Sequence, residues 1–320
     1  MISIIIPVYN GEKYIKQCLD CLLSEGTEDI LEVIAINDGS RDSSSAMLHE
    51  YEASHKNLRV VDKENGGAAQ ARKLGIQLAT GEYIGFLDVD DRAEPQMYVS
   101  MLEKAKSTDA DIVFCNYTEV FPDKTHVVKN KFKEGQTFPL SPSDAMDALH
   151  RRQAYFPFPW NKLYRAELIR SIEFPSGNFV GEDYDMQLKL LSRASRVEYV
   201  DIEGYFYVMT VGSASRGGYG EATVRAYEHF EENYKWICEN HPGKQKECSH
   251  YLITEYMAMI IAMGRNNTYN PEMIKAIKRF VRRGLFGFIS AGYVSVKMKG
   301  SALALTLSYR LLILMYKILG

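Results

Sequence analysis

Short apolar runs alternate with amphipathic segments along roughly the first 120 residues. The runs have the length and β-branched character of strands, and the segments between them have the three- and four-residue apolar spacing of helices. Strands that alternate with helices imply right-handed crossovers and a mostly parallel sheet with flanking helices, which is an α/β fold. The predicted strands are Ile2–Pro7, Ile30–Ile36, Leu58–Asp62, Tyr83–Leu87 and Ala110–Asn116, and the predicted helices are Glu12–Leu23, one from Ser43, Ala68–Ala79 and Gln96–Lys106.

Polar clusters follow three of these strands. They are Tyr9-Asn10, Asp38-Gly39-Ser40 and Asp88-Val89-Asp90-Asp91. Ligands of open parallel sheets bind outside the carboxyl ends of the strands, so the three clusters are expected on one rim. The close carboxylates of the third cluster repel each other, and a hard divalent cation with phosphate oxygens would offset that cost. An Asp-rich turn before the helix is the alternative interpretation.

The sequence carries no common phosphate-binding fingerprint at its first turn. Neither G-x-G-x-x-G nor G-x-x-x-x-G-K-[ST] occurs there. If the ligand at this rim carries phosphate groups, a metal would then hold them together with Arg72, which lies in the helix after Gly66-Gly67. A solvated helix arginine is the plainer interpretation of Arg72, and a simple turn with a helix cap is that of Asp38-Gly39-Ser40.

The middle of the chain combines aromatic and polar residues. A strand-like pattern between Thr118 and Phe138 and a helix over Ser141–Arg151 precede the segment Phe156–Arg165, which contains Trp160, Asn161 and Lys162. Flat rings beside hydrogen-bonding groups suit sugar recognition. An aromatic-rich packing loop is the alternative.

A helix is predicted to begin at Glu182-Asp183-Tyr184-Asp185, after Gly177–Gly181. Acids in a first turn complement the helix dipole, which is the plain interpretation of this cluster. A carboxylate at a helix N-terminus is also expected to have a lowered pKa and to stay ionised at neutral pH.

The last hundred residues are predicted to be helical and basic. Helices are expected over Ala222–Glu239, Lys246–Met263 and Met273–Arg283, and the last of these has a basic face opposite an apolar one. Ala302–Leu319 is apolar at 14 of 18 positions, with Thr306, Arg310 and Lys317 on one side of a helical wheel. We interpret it as one interfacial helix on anionic lipid, because Arg310 would be costly in a membrane-spanning segment. The alternative is that this helix and the basic helix before it pack on the α/β domain or on a dimer partner. A transmembrane hairpin is less favoured.

Composition and charge change this picture in one respect. The 320 residues have the 46% hydrophobic and 25% charged content of globular proteins. The net charge of −3 divides unevenly, since 29 of the 38 Lys and Arg and all 41 Asp and Glu lie in residues 1–272, a net of −12. The remaining nine basic residues lie in residues 273–320, which contain no acidic residue. The chain is therefore strongly polarised, with a basic end.

Cysteine usage and the N-terminus indicate a cytoplasmic location. The five cysteines are odd in number and scattered, and the pair Cys18 and Cys21 falls in an amphipathic run where core-facing thiols are expected. The N-terminus opens directly into a predicted strand without a signal-peptide pattern.

Four motifs in order resemble glycosyltransferase family 2, whose members have the GT-A fold and use nucleotide-sugar donors. They are Ser3–Asn10, Asn37–Asp42, Asn65-Gly66-Gly67 with Arg72, and Phe86–Asp91. The resemblance covers residues 1–120 closely and extends more loosely to about residue 216. The segment W-N-K-L-Y-R is similar to one in capsule and lipopolysaccharide members of the family. Many relatives carry an arginine where this chain has Val208, and Arg216 is the expected substitute.

The resemblance implies a role for each matching residue. Asp90 would ligate Mn²⁺ or Mg²⁺, and Asp183 would be the general base, with Glu182 and Asp185 supporting it. Trp160, Asn161, Lys162, Asp91 and Glu182 are candidates for acceptor or donor-sugar contacts. The nucleotide-sugar would be bound by Pro7, Tyr9, Asp38, Gly67, Arg72, Asp88 and Val89.

Together these features predict a metal-dependent inverting glycosyltransferase. It would move a hexose or N-acetylhexosamine from a UDP-sugar to a lipid-linked or surface glycan at the inner face of the cell membrane, with no nucleic-acid partner and a homodimer as a further expectation. Residues 1–218 are predicted to form the catalytic domain, with a nucleotide half over 1–117 and an acceptor half over 118–218. Residues 219–320 are predicted to form the helical membrane-surface region. The alternative function is a non-catalytic nucleotide- or glycan-binding subunit that recruits partners.

Overall fold

The structure, a computed structural model, describes residues 1–23, 31–121, 124–128, 139–174, 181–209 and 220–319. The chain divides into two compact units. The first comprises Met1–Ala145, Ala154–Asn178 and Glu182–Val211, and the second comprises Met146–Gln153, Phe179–Gly181 and Gly212–Gly320. The predicted division of the first unit into nucleotide and acceptor halves stays a prediction.

The first unit is built on a mixed sheet. Its described strands are β1 Ile2–Val8, β2 Leu31–Asp38, β3 Leu58–Lys63, β4 Tyr83–Phe86, β5 Arg92–Ala93, β6 Ile112–Val120, β7 Thr125–Val128, β8 Lys162–Arg165 and β9 Val197–Val208. The order is β3-β2-β1-β4-β8-β6-β9-β5, with β7 paired to β6. Strands β1 to β4 are parallel, as predicted. Strand β8 is antiparallel to both β4 and β6, so the sheet is less parallel than the sequence predicted.

Helices cover this sheet through apolar faces. In the first unit they are α1 Ile15–Leu22, α2 Ser44–Ser54, α3 Ala68–Leu78, α4 Pro95–Thr108, α6 Ala166–Ser171 and α7 Glu182–Arg193, and α5 Pro142–Arg151 begins there and ends in the second unit. Helix α1 shows the principle, because it buries Ile15, Cys18, Leu19 and Leu22 at helical spacing. Cys18 is a buried free thiol, which confirms the core-facing prediction.

The strand order creates a crevice at one edge of the sheet. The chain runs outward from β1 to β2 and β3, and then returns to β4 on the other side of β1. The carboxyl ends of these strands share one edge because the strands are parallel. A reversal of strand order of this kind is where open α/β sheets bind their ligands.

The second unit is helical. Its helices are α8 Glu221–Asn240, α9 Gln245–Arg265, α10 Pro271–Ser290, α11 Val296–Leu307 and α12 Tyr309–Leu319. Helix α10 buries Ile274, Ile277 and Val281, and its lysines and arginines lie on the opposite face. The predicted amphipathic pattern of this helix is therefore confirmed.

The prediction of one continuous helix over Ala302–Leu319 is wrong, whereas its predicted contact with lipid stays a prediction. The helix breaks at Ser308, whose backbone is extended with φ −151° and ψ 133°. Leu305 before the break and Leu312 after it are both buried, because α11 and α12 pack with α9 inside the second unit. The break also removes the common helical wheel proposed for Thr306, Arg310 and Lys317. Among the described residues, no helix has the length and apolarity required to cross a membrane.

Candidate active site

The loops that follow β1 and β2 are joined by hydrogen bonds. The backbone N–H of Asn10 donates to the Ser40 hydroxyl at 3.0 Å, and the Arg41 N–H donates to the Asn10 side-chain oxygen at 2.8 Å. Asn10 has a left-handed backbone with φ 51°, which asparagine tolerates better than most residues. Tyr9 beside it is 48% exposed. These contacts form one side of the rim and leave the Tyr9 ring open to a ligand.

Asp38, at the end of β2, organises the turn before α3. Its carboxylate is buried and accepts from the N–H groups of Gly66 at 2.9 Å and Gly67 at 2.7 Å. The Lys63 ammonium and the Asn65 amide also donate to Asp38. Gly67 has φ 87°, a conformation that favours glycine. Asp38 thus sets the position of the turn that precedes α3, the helix that carries Arg72.

Arg72 joins three carboxylates that are distant in sequence. Its Nη2 donates to Asp88 Oδ1 at 2.9 Å, and its Nη1 donates to Glu182 Oε1 at 3.1 Å and Asp183 Oδ1 at 3.2 Å. The Arg72 side chain is only 8% exposed. Burial alone would lower the pKa of Arg72, but the three carboxylates raise it above its ordinary value. The sequence prediction that brings Asp88 and Asp183 to one place agrees with this geometry.

The first turn of α7 carries carboxyls with raised pKa values. Burial raises the pKa of Glu182 to about 7, although the Arg72 charge opposes the shift. Burial likewise raises the pKa of Asp183, with Arg72 acting in the opposite direction. The expectation of a lowered Asp183 pKa is therefore wrong, because desolvation outweighs the nearby cation. The Asp183 side chain remains 32% exposed, so a ligand can reach it.

Asp91 and Asp90 differ in environment. Asp91 is buried and accepts from the Tyr205 hydroxyl and from the Val208 N–H, both at 2.7 Å. Burial, reinforced by Asp88, raises the pKa of Asp91 to about 8. The backbone of Val208 thus supports the acidic turn. These bonds direct Asp91 towards β9 and away from the sugar contact predicted for it.

Asp90 has the environment expected of a cation ligand. Burial, followed by the Asp88 charge, raises the pKa of the Asp90 carboxyl. A cation there would relieve both effects. Within the described ranges, no group of three or more His, Cys, Asp or Glu side chains could hold a metal alone. Asp90 could therefore ligate a divalent cation only if oxygens from outside these side chains completed the coordination shell.

Trp160, Asn161 and Lys162 lie in the core instead of on the rim. The Trp160 ring stacks on Tyr205 with centroids 4.2 Å apart, and the Asn161 amide donates to the Cys115 carbonyl at 2.7 Å. The Lys162 ammonium donates to the Phe158 carbonyl and the Asn161 side-chain oxygen, and burial lowers its pKa to about 7. This arrangement matches the packing alternative and contradicts a direct sugar contact from these buried side chains.

Sequence reasoning missed two contributions to the site. Tyr205 is not among the predicted site residues, yet its hydroxyl donates to Asp91. Lys162 is near enough for its charge to act on Asp183. Pairing of β9 with β5 and of β8 with β4 places these residues, and a local pattern does not contain that information. Arg216 and the glycine-containing segment before Gly181 lie outside the described residues.

A parallel block with a carboxylate-lined crevice at its carboxyl ends is typical of nucleotide-dependent α/β enzymes. Comparison with known proteins narrows the class. The family model described as Glycosyl transferase family 2 matches residues 3–173, which is more than half of the chain. A relative described as the uncharacterized glycosyltransferase EpsJ of Bacillus subtilis is 30% identical over 292 residues, spanning 88% of this chain and 83% of EpsJ. The chain therefore belongs to glycosyltransferase family 2 and is an enzyme of that type.

Solved structures share the fold. Staphylococcus aureus TarS 1–349, in complex with UDP-GlcNAc, has a TM-score of 0.69 and 21% identity, covering 99% of this chain and 91% of that one. The mannosyltransferase PcManGT from Pyrobaculum calidifontis, in complex with GDP-Man and Mn²⁺, has a TM-score of 0.55 and 19% identity, covering 98% and 83%. These likenesses confirm the predicted GT-A fold.

Proposed function

We propose that this enzyme transfers a hexose or N-acetylhexosamine from a UDP-sugar to an acceptor hydroxyl, with inversion at the anomeric carbon. The observation that carries the proposal is the position of Arg72 between Asp88 and Asp183. One guanidinium group and two hydrogen bonds separate the donor-side carboxylate from the candidate base. A sugar bound over this site would have its diphosphate on the Asp88 side and its acceptor on the Asp183 side.

The donor site would use the rim of β1, β2 and β4. Pro7, the exposed Tyr9 ring and the Asp38 turn would take the base and ribose, and Gly67, Arg72, Asp88 and Val89 would lie nearer the diphosphate. TarS, bound to UDP-GlcNAc in its structure, supports UDP as the nucleotide. Asp38 would act chiefly by positioning the turn, because its carboxylate oxygens already accept from Gly66 and Gly67.

Asp90 would hold Mn²⁺ or Mg²⁺ together with the diphosphate oxygens. The cation would offset the negative charge that develops on the departing diphosphate. The Mn²⁺ in the PcManGT structure supports this cofactor, as does the raised pKa of Asp90.

Asp183 would accept the proton of the acceptor hydroxyl. As the acceptor oxygen forms its bond to the anomeric carbon, the bond from that carbon to the diphosphate breaks and UDP leaves with the electron pair. The proton passes to the Asp183 carboxylate. A raised pKa makes Asp183 a stronger base than an ordinary aspartate, provided that it is ionised. Arg72 would orient the Asp183 carboxylate, and Glu182 would share the positive charge of Arg72 with it.

The acceptor would be a lipid-linked or surface glycan at the inner face of the membrane. The nine basic residues after Glu272, unopposed by acids in that segment, support attraction to an anionic surface. The membrane contact would come from the second unit, with the chemistry in the first.

The purified protein should release UDP from one or more of a panel of UDP-hexoses and UDP-N-acetylhexosamines in the presence of Mn²⁺. Asp183→Asn should bind UDP as the wild type does but lose about 10²–10⁴-fold in turnover, the usual contribution of a positioned base. Calorimetry with UDP and a coupled UDP-release assay measure the two quantities.

Asp144→Asn is the matched control, since Asp144 also lies in the first turn of a helix, α5. It should keep wild-type turnover. Near-normal turnover in Asp183→Asn would remove Asp183 from the mechanism, and equal activity with GDP-mannose would argue against a UDP-specific site.

A further inference from the structure

The second unit contains a cationic cavity that the transfer reaction does not use. It has a volume of about 670 Å³ and lies along the basic face of α10. Five cationic side chains line it: Lys275, Lys278, Arg279, Arg282 and Arg283. None of the five forms an ion pair with an acidic side chain in the part of the chain that the structure describes.

The helix break at Ser308 builds one wall of this cavity. A helix leaves its last carbonyl groups without partners, and α11 ends beside α10. Lys278 donates to the Leu307 carbonyl at 3.2 Å, and Arg282 donates to the Thr306 carbonyl at 2.9 Å. These two cations therefore hold the corner between α11 and α12 against α10.

The other three cations remain available to a ligand. Lys275, Arg279 and Arg283 are exposed and follow each other at four-residue intervals, so they form one row about 6 Å apart along the helix. A row of cations without acidic partners repels itself, and a bound anion would relieve that repulsion. Arginine in particular matches the geometry of phosphate oxygens.

We propose that this cavity binds the phosphate headgroup of an anionic membrane lipid. The inference deepens the membrane contact proposed above and rests on it. Tyr309 and Tyr269 also line the cavity, with ring centroids 5.6 Å apart. Tyrosines are typical of membrane interfaces, where the ring meets apolar chains and the hydroxyl meets water.

Exposed apolar side chains on α11 and α12, the two helices that meet at the corner held by Lys278 and Arg282, favour a lipid over a soluble polyanion. Leu307, whose carbonyl binds Lys278, is 74% exposed. Further exposed apolar side chains of α11 and α12 are Leu303, Leu311, Leu314 and Ile318. A soluble phosphate polymer would leave these side chains in water, whereas a lipid surface would bury them.

The test is the partition of the full-length protein onto vesicles of phosphatidylcholine with and without phosphatidylglycerol. The wild type should bind only the anionic vesicles. Arg279→Gln combined with Arg283→Gln should lower that partition by roughly 30-fold, because each basic residue at an anionic surface contributes about fivefold. Leu307→Ser should also weaken binding while leaving all five cations in place.

The matched control is Lys297→Gln combined with Lys317→Gln, which removes the same charge from α11 and α12 outside the cavity. It should lower the partition less than the arginine double variant does, because neither lysine lines the cavity. Equal losses in the two double variants would show diffuse electrostatic attraction and overturn the headgroup site. Circular dichroism and thermal melting of each variant separate a lost site from a lost fold.

A soluble ligand is a separate outcome. Three results together would show that the cavity takes a soluble anion and that the lipid proposal is wrong. Inorganic phosphate or polyphosphate would stabilise the wild type, the arginine double variant would abolish that stabilisation, and vesicles would not bind. The failure of the proposed reaction is distinguishable, because UDP release from the donor without vesicles should be the same in the cavity variants and the wild type. Vesicle binding without UDP release would leave the headgroup site intact and refute only the transfer.

Discussion

Arg72 offers one positive charge to three carboxylates, so the acidic cluster is only partly neutralised. Asp88, Glu182 and Asp183 each bond to the same guanidinium group. The raised pKa values of Glu182 and Asp183 follow from this imbalance, since burial penalises each charge more than one shared cation repays it. Protonation of one of these carboxyls, or an additional cation, would relieve this imbalance.

The raised pKa values of Glu182 and Asp183 predict opposite pH trends for stability and turnover. The pKa is about 7 in the folded protein against an ordinary value of 4.5, so the folded state binds the proton more tightly. The stabilisation of the folded state by protonated Glu182 is complete below pH 4.5, and it is lost as the pH rises through 7. Relative to Glu182→Gln, the wild type should lose up to ~3 kcal/mol of unfolding free energy over that window. Turnover should also rise with pH, because Asp183, the proposed base, has a raised pKa and must be ionised to accept a proton.

Urea denaturation of both proteins at several pH values measures the first trend, and the pH profile of kcat/KM measures the second. A stability difference between wild type and Glu182→Gln that stays flat or grows with pH would contradict the assignment. Arg72 and Asp183 are present in both proteins, so their common contributions largely cancel in the comparison.

Residue identity was more predictable than residue exposure. The motifs correctly indicated that the ends of β1, β2 and β4 share a rim with the start of α7. They did not reveal that Trp160, Asn161 and Lys162 are buried, because the same aromatic and polar letters suit a sugar site and a packed core. The partners that decide the matter, Tyr205 and Cys115, are distant in sequence.

Helix α3 must lie unusually close to β1 to place Arg72. A Cβ atom on Gly75, one turn after Arg72, would lie 2.4 Å from Ile5 Cγ2. Gly75→Ala should therefore push α3 away from the sheet and cost about 1–3 kcal/mol of unfolding free energy. Because Arg72 moves with α3, turnover should also fall by at least about tenfold, as misplacement of a positioning group does.

Gly243→Ala is the control, since no atom lies within 4 Å of a Cβ at that position. Urea denaturation and the UDP-release assay compare the two variants. Equal stability of Gly75→Ala and Gly243→Ala would mean that α3 does not need this close approach.

The antiparallel strand β8 and the break between α11 and α12 were not predicted from the sequence, and the two failures share a cause. Strand β8 has four residues, one of them Lys162, and its two antiparallel neighbours are β4 and β6. The break at Ser308 is hidden because α11 and α12 both bury apolar residues, so the apolar content continues across it. Periodicity reports which face is buried, and it does not report where a chain turns within a buried region.

Charge separates the chain into two chemical environments. Residues 1–272 carry a net charge of −12, and the remaining segment carries nine basic residues and no acidic ones. The acidic cluster around Arg72 lies in the first unit, and the basic segment after Glu272 lies in the second. Under the proposed function, the first unit would bind a cation with a nucleotide diphosphate, and the second would be attracted to an anionic surface.

Ligand binding to the acidic site should appear in the stability of the folded protein. UDP with Mn²⁺ at about 100 times its dissociation constant should add ~2.7 kcal/mol to the unfolding free energy, because a ligand that binds only the folded state shifts the equilibrium by mass action. Chelation with EDTA should remove most of this gain, since the diphosphate would then face Asp88 and Asp90 without a cation between them. Asp90→Asn should show little Mn²⁺-dependent gain, whereas Asp109→Asn should keep it, because Asp109 is an exposed aspartate whose left-handed backbone asparagine accepts. Thermal melting with UDP in Mn²⁺ and in EDTA measures the effect, and equal stabilisation of the wild type under both conditions would show that Asp90 holds no cation with the nucleotide.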